Sequence, residues 1–598
     1  MLVGVDTGGT FTDLVDATGG VRKVLSTPDD PARAVRDAVG SVRPTLLAHG
    51  TTVATNALLE RRGARVALVT TAGLADVIEI GRQDRPSLYD QLASRPEPLV
   101  PRSRCYEATG RLAADGDELV PIDTAALPDI DADVEAVAVC LLHADIEPAH
   151  ERAVAEALRA RGHDVCCSHE VSPEMREVER TVTTVINATL RPRCRAYLRG
   201  IADLADDVLV MTSAGGLLPA TEAAELPAAL LLSGPAGGVR AAAAAAVANG
   251  FGDAITFDMG GTSTDVCLVV DGSPARTPER GVAGFTVRFP ALDVHTIGAG
   301  GGSIARLDAG GALVVGPQSA GADPGPACYG RGGPEPTVTD ANLVARRIPA
   351  EAAFGGLQLD HAAAAAALED AGVTAQGVLA VVDANMERAL RAVSVERGVD
   401  PRGLALVAFG GAGPLHACAL AEALDMPAVI VPTRAGVLSA VGLLTAPRRR
   451  DLVRSWPTPS DLAGLDEALS TLAEEAGELV GALKAPGEAP KVETAVDCRY
   501  PGQSHELTVP AVEQFHDEHH RRNGYARRTD PVEVIAVRAA MTRPAGVEAE
   551  DLPVADRLAG PVRGPAVIAE PDCTIWVGEG WTARAGEAGA VVMRRDEA

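Results

Sequence analysis

Lysine is nearly absent from this 598-residue sequence: Lys23, Lys484 and Lys491 are the whole complement, and none follows a glycine-rich loop. That excludes a Walker A loop, which needs G-x-x-x-x-G-K, and the strand lysine of protein kinases. The glycine runs GAGGGS at Gly298 and GGAG at Gly410 do not complete G-x-G-x-x-G, so a dinucleotide fold has little support. No G-x-S-x-G elbow is present, which weakens a serine hydrolase reading. Aromatic residues make up only 3%, too few for the stacking platforms that single-stranded nucleic acid needs. Positive charge is also scarce. Against 81 acidic residues stand 54 basic ones, and the formal charge of -27 repels nucleic acid and anionic membranes. Ten cysteines are scattered without C-x-x-C spacing, and the adjacent Cys166 and Cys167 cannot both serve an ordinary disulfide framework. With no basic-then-apolar leader and no apolar run long enough for a bilayer, the expectation is a reduced, cytoplasmic protein with neither a nucleic-acid nor a membrane partner.

What is present begins at Val3, where VGVDTGGTFTDL runs an apolar strand into Asp6 and a turn on Gly8 and Gly9. About 250 residues later FDMGGTSTDV repeats the pattern from Phe257. Aligned on Asp6 and Asp258, both copies read D-x-G-G-T-x-T-D. The shared positions are Gly8, Gly9, Thr10, Thr12 and Asp13 in the first, and Gly260, Gly261, Thr262, Thr264 and Asp265 in the second. Paired glycines let a backbone turn tightly and approach a ligand, and successive amide hydrogens in such a turn hold anions. A single Asp-Gly-Gly is equally ordinary hairpin chemistry. Duplication points instead to a phosphate clamp, and in so acidic a chain a polyphosphate would need Mg²⁺ and oriented amides.

The length suggests about three or four domains. Short strands such as Val66 to Val69 are expected up to residue 133. A β-α-β unit follows: the apolar run to Leu142, a helix from Pro148 to Arg161 stopped by Gly162, and a strand at DVCCS. A long helix is expected over Glu174 to Leu204 with an interruption near Pro192, and an alanine-rich helix after SGPAGGV. The Gly- and Pro-rich stretch from Gly298 to Thr337 is too long for a passive connector and is expected to wall a site. The strand LALVAF and a helix from Pro414 resume α/β alternation. The basic run APRRRDLVRS at Ala446 reads as a solvated linker to a separate C-terminal domain.

Three glycine-centred elements thus stand in order, at Asp6, at Asp258 and in FGGAGPLHA from Phe409. Two phosphate loops plus a strand-helix junction for adenosine resemble the layout of the actin-like ATPases. Further blocks narrow the resemblance: HGTTVATN at His49, GRQDRP at Gly81, SGPAGGV, HTIGAGGGSIA, DPGPACYG, PTVTDANLV and GVLSAVGLL. Together they look like the hydantoinase A and 5-oxoprolinase family, over Val3 to about Leu444, while the C-terminal part matches only through YPGQSHELTV.

The resemblance implies an α/β fold: a two-lobed actin-like ATPase (ribonuclease H-like) core with a C-terminal α/β or β-rich domain. The boundaries it suggests are 1–175, 176–450 and 451–598. It also implies ATP-dependent opening of a cyclic amide such as a hydantoin or 5-oxoproline, or the related ATP-dependent carboxylation of a ketone. A separate hydantoinase B-type subunit would supply the attacking nucleophile, making the assembly a hetero-oligomer. Asp6 and Asp258 would hold the Mg²⁺ of ATP, the loop glycines and threonines its phosphates, and Gly410, Gly411, Gly413 and Pro414 the adenosine. His49, Thr51, Thr52, Asn56, Asp293 and His295 would lie near the substrate. Arg82 and Arg85 suit an anion clamp or, by default, surface ion pairs. A reactivating chaperone ATPase and a sugar or acid kinase are the rivals. The first lacks the glycine-rich region after His295, and the second needs a catalytic base in a sugar cleft, which the sequence does not identify.

Overall fold

The computed structural model describes all residues except 10, 28, 91, 350–357, 482–489, 555–556 and 597–598. Lobe I starts with the antiparallel strands β1 (Leu2–Thr7), β2 (Phe11–Asp16) and β3 (Val21–Leu25). It continues with β4 (Leu46–Thr51), α1 (Val53–Leu59), α2 (Glu177–Arg199), β5 (Asp207–Met211) and β6 (Leu217–Pro219). The central strand β1 buries Val3, Gly4 and Val5 in succession, as a strand covered on both faces must. Strand β4 runs parallel to β1, and β5 parallel to β4.

Lobe II repeats this plan. It comprises α3 (Gly234–Ala248), β7 (Ala254–Met259), β8 (Thr264–Val270), β9 (Ser273–Pro274), β10 (Val294–Ile297), β11 (Ala405–Phe409), α4 (Gly413–Ala423), β12 (Ala428–Val431) and α5 (Leu438–Leu444). Its order β9-β8-β7-β11-β12 reproduces β3-β2-β1-β4-β5 with the same strand senses. A meander whose first strand pairs in parallel with the fourth is the ribonuclease H-like unit, and two such units make the actin-like ATPase core.

Between α1 and α2 a four-stranded parallel sheet is inserted, built from Val66–Thr71, Cys105–Ala108, Ala136–Cys140 and Val165–Cys167. It contains the β-α-β unit expected there. Helix α2 runs through Pro192 without ending, because Ile186, Leu190, Cys194 and Leu198 anchor it in the lobe I core on both sides of the proline.

The segment beyond 450 does not stand apart. Strands β13 (Arg448–Ser455), β14 (Lys491–Arg499), β15 (Leu507–Val509) and β16 (Glu533–Arg543) extend the lobe I sheet to ten strands. Strands β17 (Val562–Arg563), β18 (Trp581–Ala585) and β19 (Val591–Arg595) extend that of lobe II. Each lobe would otherwise end on an open edge, and the C-terminal strands cover both. The basic run read as a linker is therefore strand β13. Its charge is absorbed locally, since Arg448 meets Asp207 at 2.8 Å and Arg449 grips Asp451 with two guanidinium nitrogens.

Helices α3 and α5 cross between the lobes almost backbone to backbone. A Cβ on Gly442 would overlap the carbonyl of Gly237, and one on Gly4 of β1 would overlap the carbonyl of Ala440. Only glycine permits that approach, which packs α5 tightly against both α3 and β1. All ten cysteines are buried and unpaired. No single described helix is long and apolar enough to cross a membrane.

Candidate active site

Each D-x-G-G-T-x-T-D copy is an antiparallel hairpin, with Asp6 opposite Asp13 and Asp258 opposite Asp265. The turns close identically: Gly8 N–H donates to Phe11 O at 3.0 Å, and Gly260 N–H to Ser263 O at 3.0 Å. Thr10 lies outside the described residues. Thr12 is buried against Ser26 at 3.1 Å, and the Ser26 hydroxyl donates to Gly8 O at 2.7 Å. In the second copy Thr264 donates to Ala299 O at 2.6 Å. Gly301 and Gly302 donate to Gly260 O and Gly261 O, so the GAGGGS run backs the second turn. A Cβ on Gly300 would come within 2.7 Å of Thr262 N. Gly261 and Thr262 stay exposed at the tip.

The third element completes lobe II. Gly410 has φ +77° and follows β11 directly beneath Asp258, where a Cβ would overlap the aspartate's Oδ1. Ala412 N–H donates to Met259 O at 3.0 Å, and α4 starts at Gly413 with Pro414 in its first turn, a placement that suits proline. Gly411 is exposed, while Gly413 and Pro414 are buried in the junction. Lobe I has the counterpart: Gly50 of β4 sits opposite Asp6, and a Cβ there would come 2.7 Å from Asp6 Oδ1.

Burial raises the Asp258 pKa most, then Asp265 and then Asp6, so the two hairpins lie within electrostatic reach of each other. Asp6 is pushed up to about 7 by burial and then by Asp13, against the pull of Lys23. Asp13 is raised by burial although Lys23 sits 2.8 Å from it. Asp265 rises to about 6 through burial, opposed by a 2.5 Å bond from the Thr296 hydroxyl. Oδ1 of Asp6 is buried without a hydrogen-bond partner, whereas both oxygens of Asp13 lie within 3.0 Å of Lys23 Nζ. Asp6 and Asp258 thus each feel a neighbouring carboxylate, a repulsion that a bound cation would relieve.

Beside the first turn opens a cleft of about 420 Å³, lined among others by Thr7, Gly8, Gly9, Thr52, Asn56 and Tyr197. Thr51 ends β4, buried behind it, and Asn56 donates to Thr52 Oγ1 at 3.3 Å. His49 requires correction. It is 0% exposed, with Nδ1 3.0 Å from Val5 O and Nε2 2.7 Å from the Tyr197 hydroxyl, so it props the cleft wall and meets no ligand. Burial depresses its pKa to about 4 and keeps it neutral. Asp293 and His295 are corrected too. Along β10 the pleat turns Thr296 toward Asp265 and sends His295 to the opposite face, and Asp293 is paired with Arg397. Arg82 is committed to Glu179. Glu151, near a cysteine and a histidine, spends its oxygens on Leu141 N, Ser168 and His169. Sequence reasoning missed Thr7, Ser26, Thr296 and Tyr197. Thr7 stood inside the motif, at its variable position, whereas Tyr197 lies on a remote helix and carries no local signal.

The comparisons with known proteins agree with this geometry. Residues 2–162 match the hydantoinase/oxoprolinase N-terminal region, and residues 180–451 match hydantoinase/oxoprolinase. The caprolactamase subunit alpha of Pseudomonas jessenii is 35% identical over 95% of this chain and 89% of its own length. The crystal structure of that organism's ATP-dependent caprolactamase superposes with a TM-score of 0.84 at 32% identity, covering 100% of both chains. The 5-oxoprolinase 1 of Arabidopsis thaliana is 34% identical over 73% of this chain but only 41% of its own. The acetophenone carboxylase gamma subunit of Aromatoleum aromaticum is 33% identical over 74% and 67%. With duplicated D-x-G-G hairpins on paired ribonuclease H-like lobes and matches along its whole length, the chain belongs to the hydantoinase/oxoprolinase family.

Proposed function

We propose that this chain is the phosphorylating subunit of an ATP-dependent cyclic-amide hydrolase. The observation that carries the reading is the same D-x-G-G hairpin at the same place in two matching sheets, each lead aspartate held up by burial and a neighbouring carboxylate. A lactam carbonyl resists water because amide resonance must be lost at the attacked carbon. Its oxygen attacks the γ-phosphorus of ATP, the bond from that phosphorus to the β,γ-bridging oxygen breaks, and ADP leaves. The ring carbon, now bearing a phosphoryloxy group, is attacked by a water; the C–N bond breaks as the ring nitrogen takes a proton, and a second water hydrolyses the resulting acyl phosphate to carboxylate and phosphate.

Asp6 and Asp258 would hold Mg²⁺, and the partnerless buried Oδ1 of Asp6 fits that role. Bound there, the ion offsets the phosphates' charge and orients the transferred group. The amides of Gly8, Gly9, Gly260 and Gly261, with Thr12 and Thr264 fixing their turns, would cradle the phosphates. Thr10 and Thr262 would add hydroxyl donors. Asp13 and Asp265 brace the metal pair, and Gly410, Gly411, Gly413 and Pro414 would seat adenosine. Thr51, Thr52 and Asn56 line the substrate side.

A partner of the B type would deliver the nucleophile. Support comes from the word subunit in the caprolactamase relative's name and from the longer 5-oxoprolinase, of which this chain matches less than half. The carboxylase relative keeps ketone activation as a second reading, favoured less because its match covers a smaller share of both chains. The deciding experiment measures ATP hydrolysis by the chain with its partner against lactams, hydantoins, and ketones with bicarbonate. Coupled turnover of a ring amide, abolished by Asp258→Ala, is the expected result; coupling only to ketone and bicarbonate would refute the proposal.

A further inference from the structure

We propose that the turn joining β5 to β6 holds a small tetrahedral dianion, with phosphate the first candidate, gripped by Arg240, Arg276 and Arg449. The site is separate from the two hairpins and does not depend on the lactam reading.

Three arginines meet three consecutive residues of one turn. Thr212 N–H donates to Gly216 O at 2.9 Å and Gly215 N–H to Thr212 O at 3.0 Å, which closes the turn with Gly215 at φ +77°. Arg276 opens the strand Arg276–Val282 and donates from Nη1 to Ala214 O at 3.0 Å. Arg240, on α3, passes beside the next residue, since a Cβ on Gly215 would lie 3.3 Å from its Cδ. Arg449, on β13, fills the room beyond: a Cβ on Gly216 would fall 2.1 Å from its own Cβ. The turn is buried, Arg449 is 7% exposed and Arg240 is half-buried. Arg276 is exposed, yet its guanidinium reaches in to the Ala214 carbonyl, so solvent meets the group from its side.

Nearby acids do not balance this charge. Asp451 is taken by Arg449, whose Nε and Nη2 lie 2.8 and 2.6 Å from its oxygens. Glu493 sits 3.0 Å from Lys491 and 3.9 Å from Arg449, and Glu548 accepts from the Asp551 amide in a capping box. Among the described residues neither Arg240 nor Arg276 has a carboxylate at ion-pair distance, and Arg240 makes no hydrogen bond. The three guanidiniums are left to repel one another. Burial and then the charges of Arg276 and Arg449 pull the Arg240 pKa down to about 10, and burial and Arg449 lower that of Arg276. A bound anion removes that cost. Guanidinium pairs with a tetrahedral oxyanion through two parallel N–H bonds, and a dianion matches the two arginines that lack a carboxylate. Because α3 belongs to lobe II and β13 to the lobe I sheet, the same anion ties the lobes together.

Calorimetric titration of the whole chain at pH 8 tests the site, with sodium phosphate, sulfate and formate as probes and chloride holding the ionic strength constant. Mg²⁺ and the non-hydrolysable analogue AMPPNP are present throughout to occupy the hairpins. Phosphate and sulfate should bind at least about tenfold tighter than formate, and Arg240→Gln and Arg276→Gln should each weaken phosphate about tenfold or more. In chloride alone Arg240→Gln should melt at or above the wild-type temperature, because glutamine removes a like-charge neighbour and breaks no bond; loss of a purely structural arginine would lower it. Phosphate should raise the melting temperature of wild type and leave that of Arg240→Gln in place. The inference falls if phosphate acts no differently from chloride, the sign of an adventitious ion only. It falls equally if both variants keep wild-type affinity, or if Arg240→Gln melts several degrees below wild type in chloride.

Discussion

Asp6→Asn separates the cost of the empty site from its use. The Asp6 carboxyl titrates at about 7 in the fold against 3.8 for the free group, chiefly through burial and then through Asp13. A carboxyl held above its unfolded value stabilises the fold while protonated. That contribution is complete below pH 4 and is lost as the pH rises through 7. The gap corresponds to ~4 kcal/mol at 1.36 kcal/mol per pH unit, and solvent in the partly open cleft reduces it to about 2–4 kcal/mol. Asparagine keeps the shape and carries no charge. Without ligand, Asp6→Asn should melt with wild type at pH 4 and several degrees above it at pH 8, by differential scanning calorimetry. Mg·ATP should raise the wild-type melting temperature and leave the variant's unmoved, and ATP hydrolysis should fall at least ~100-fold, or about 2.7 kcal/mol in the barrier. A wild type whose melting is flat from pH 4 to 8, or a variant less stable than wild type at pH 8, would refute the electrostatic account of the hairpins.

Gly410→Ala must strain a left-handed backbone position and press on Asp258, so nucleotide affinity measured by titration should drop at least ~10-fold. Gly442→Ala collides with the Gly237 carbonyl where α3 and α5 cross, and should cost about 3 kcal/mol or more and deplete soluble protein; Gly250→Ala, with no atom near its Cβ, is strained only by its positive φ and should cost about 1 kcal/mol. Thr296→Val removes the bond that lowers the Asp265 pKa from its raised position, so the acidic limb of the ATPase pH profile should shift upward from about 6. Glu174→Gln loosens the buried contact of one carboxylate with Arg288 and Arg538 and should lower stability by about 3–5 kcal/mol, read by thermal melting.

Much of the site is legible because hairpin chemistry is local. Asp6, Gly8 and Gly9 are set by a handful of neighbours, and the same octet at Asp258 folds the same way. Pleat and burial are less readable. Asp293 and His295 sit in a suggestive glycine-rich neighbourhood, yet the register of β10 against β8 gives the working face to Thr296. His49 heads a polar run but is drawn under β1 by the Val5 carbonyl. The arginines of β13 read as a linker because nothing nearby in sequence reveals that Asp207, some 240 positions earlier, pairs with Arg448.

By itself the sequence determined the two turns, the aspartates that end their strands and the acidic, lysine-poor character that rules out a P-loop, since each depends on residue type and short-range backbone preference. Only the tertiary structure decided that Asp6 and Asp258 lie within electrostatic reach of each other, that the C-terminal strands split between two sheets, and that Tyr197 borders the cleft beside the first turn. Those outcomes arise where helices cross at glycines and where open sheet edges find strands, contacts between residues hundreds of positions apart that no local rule encodes.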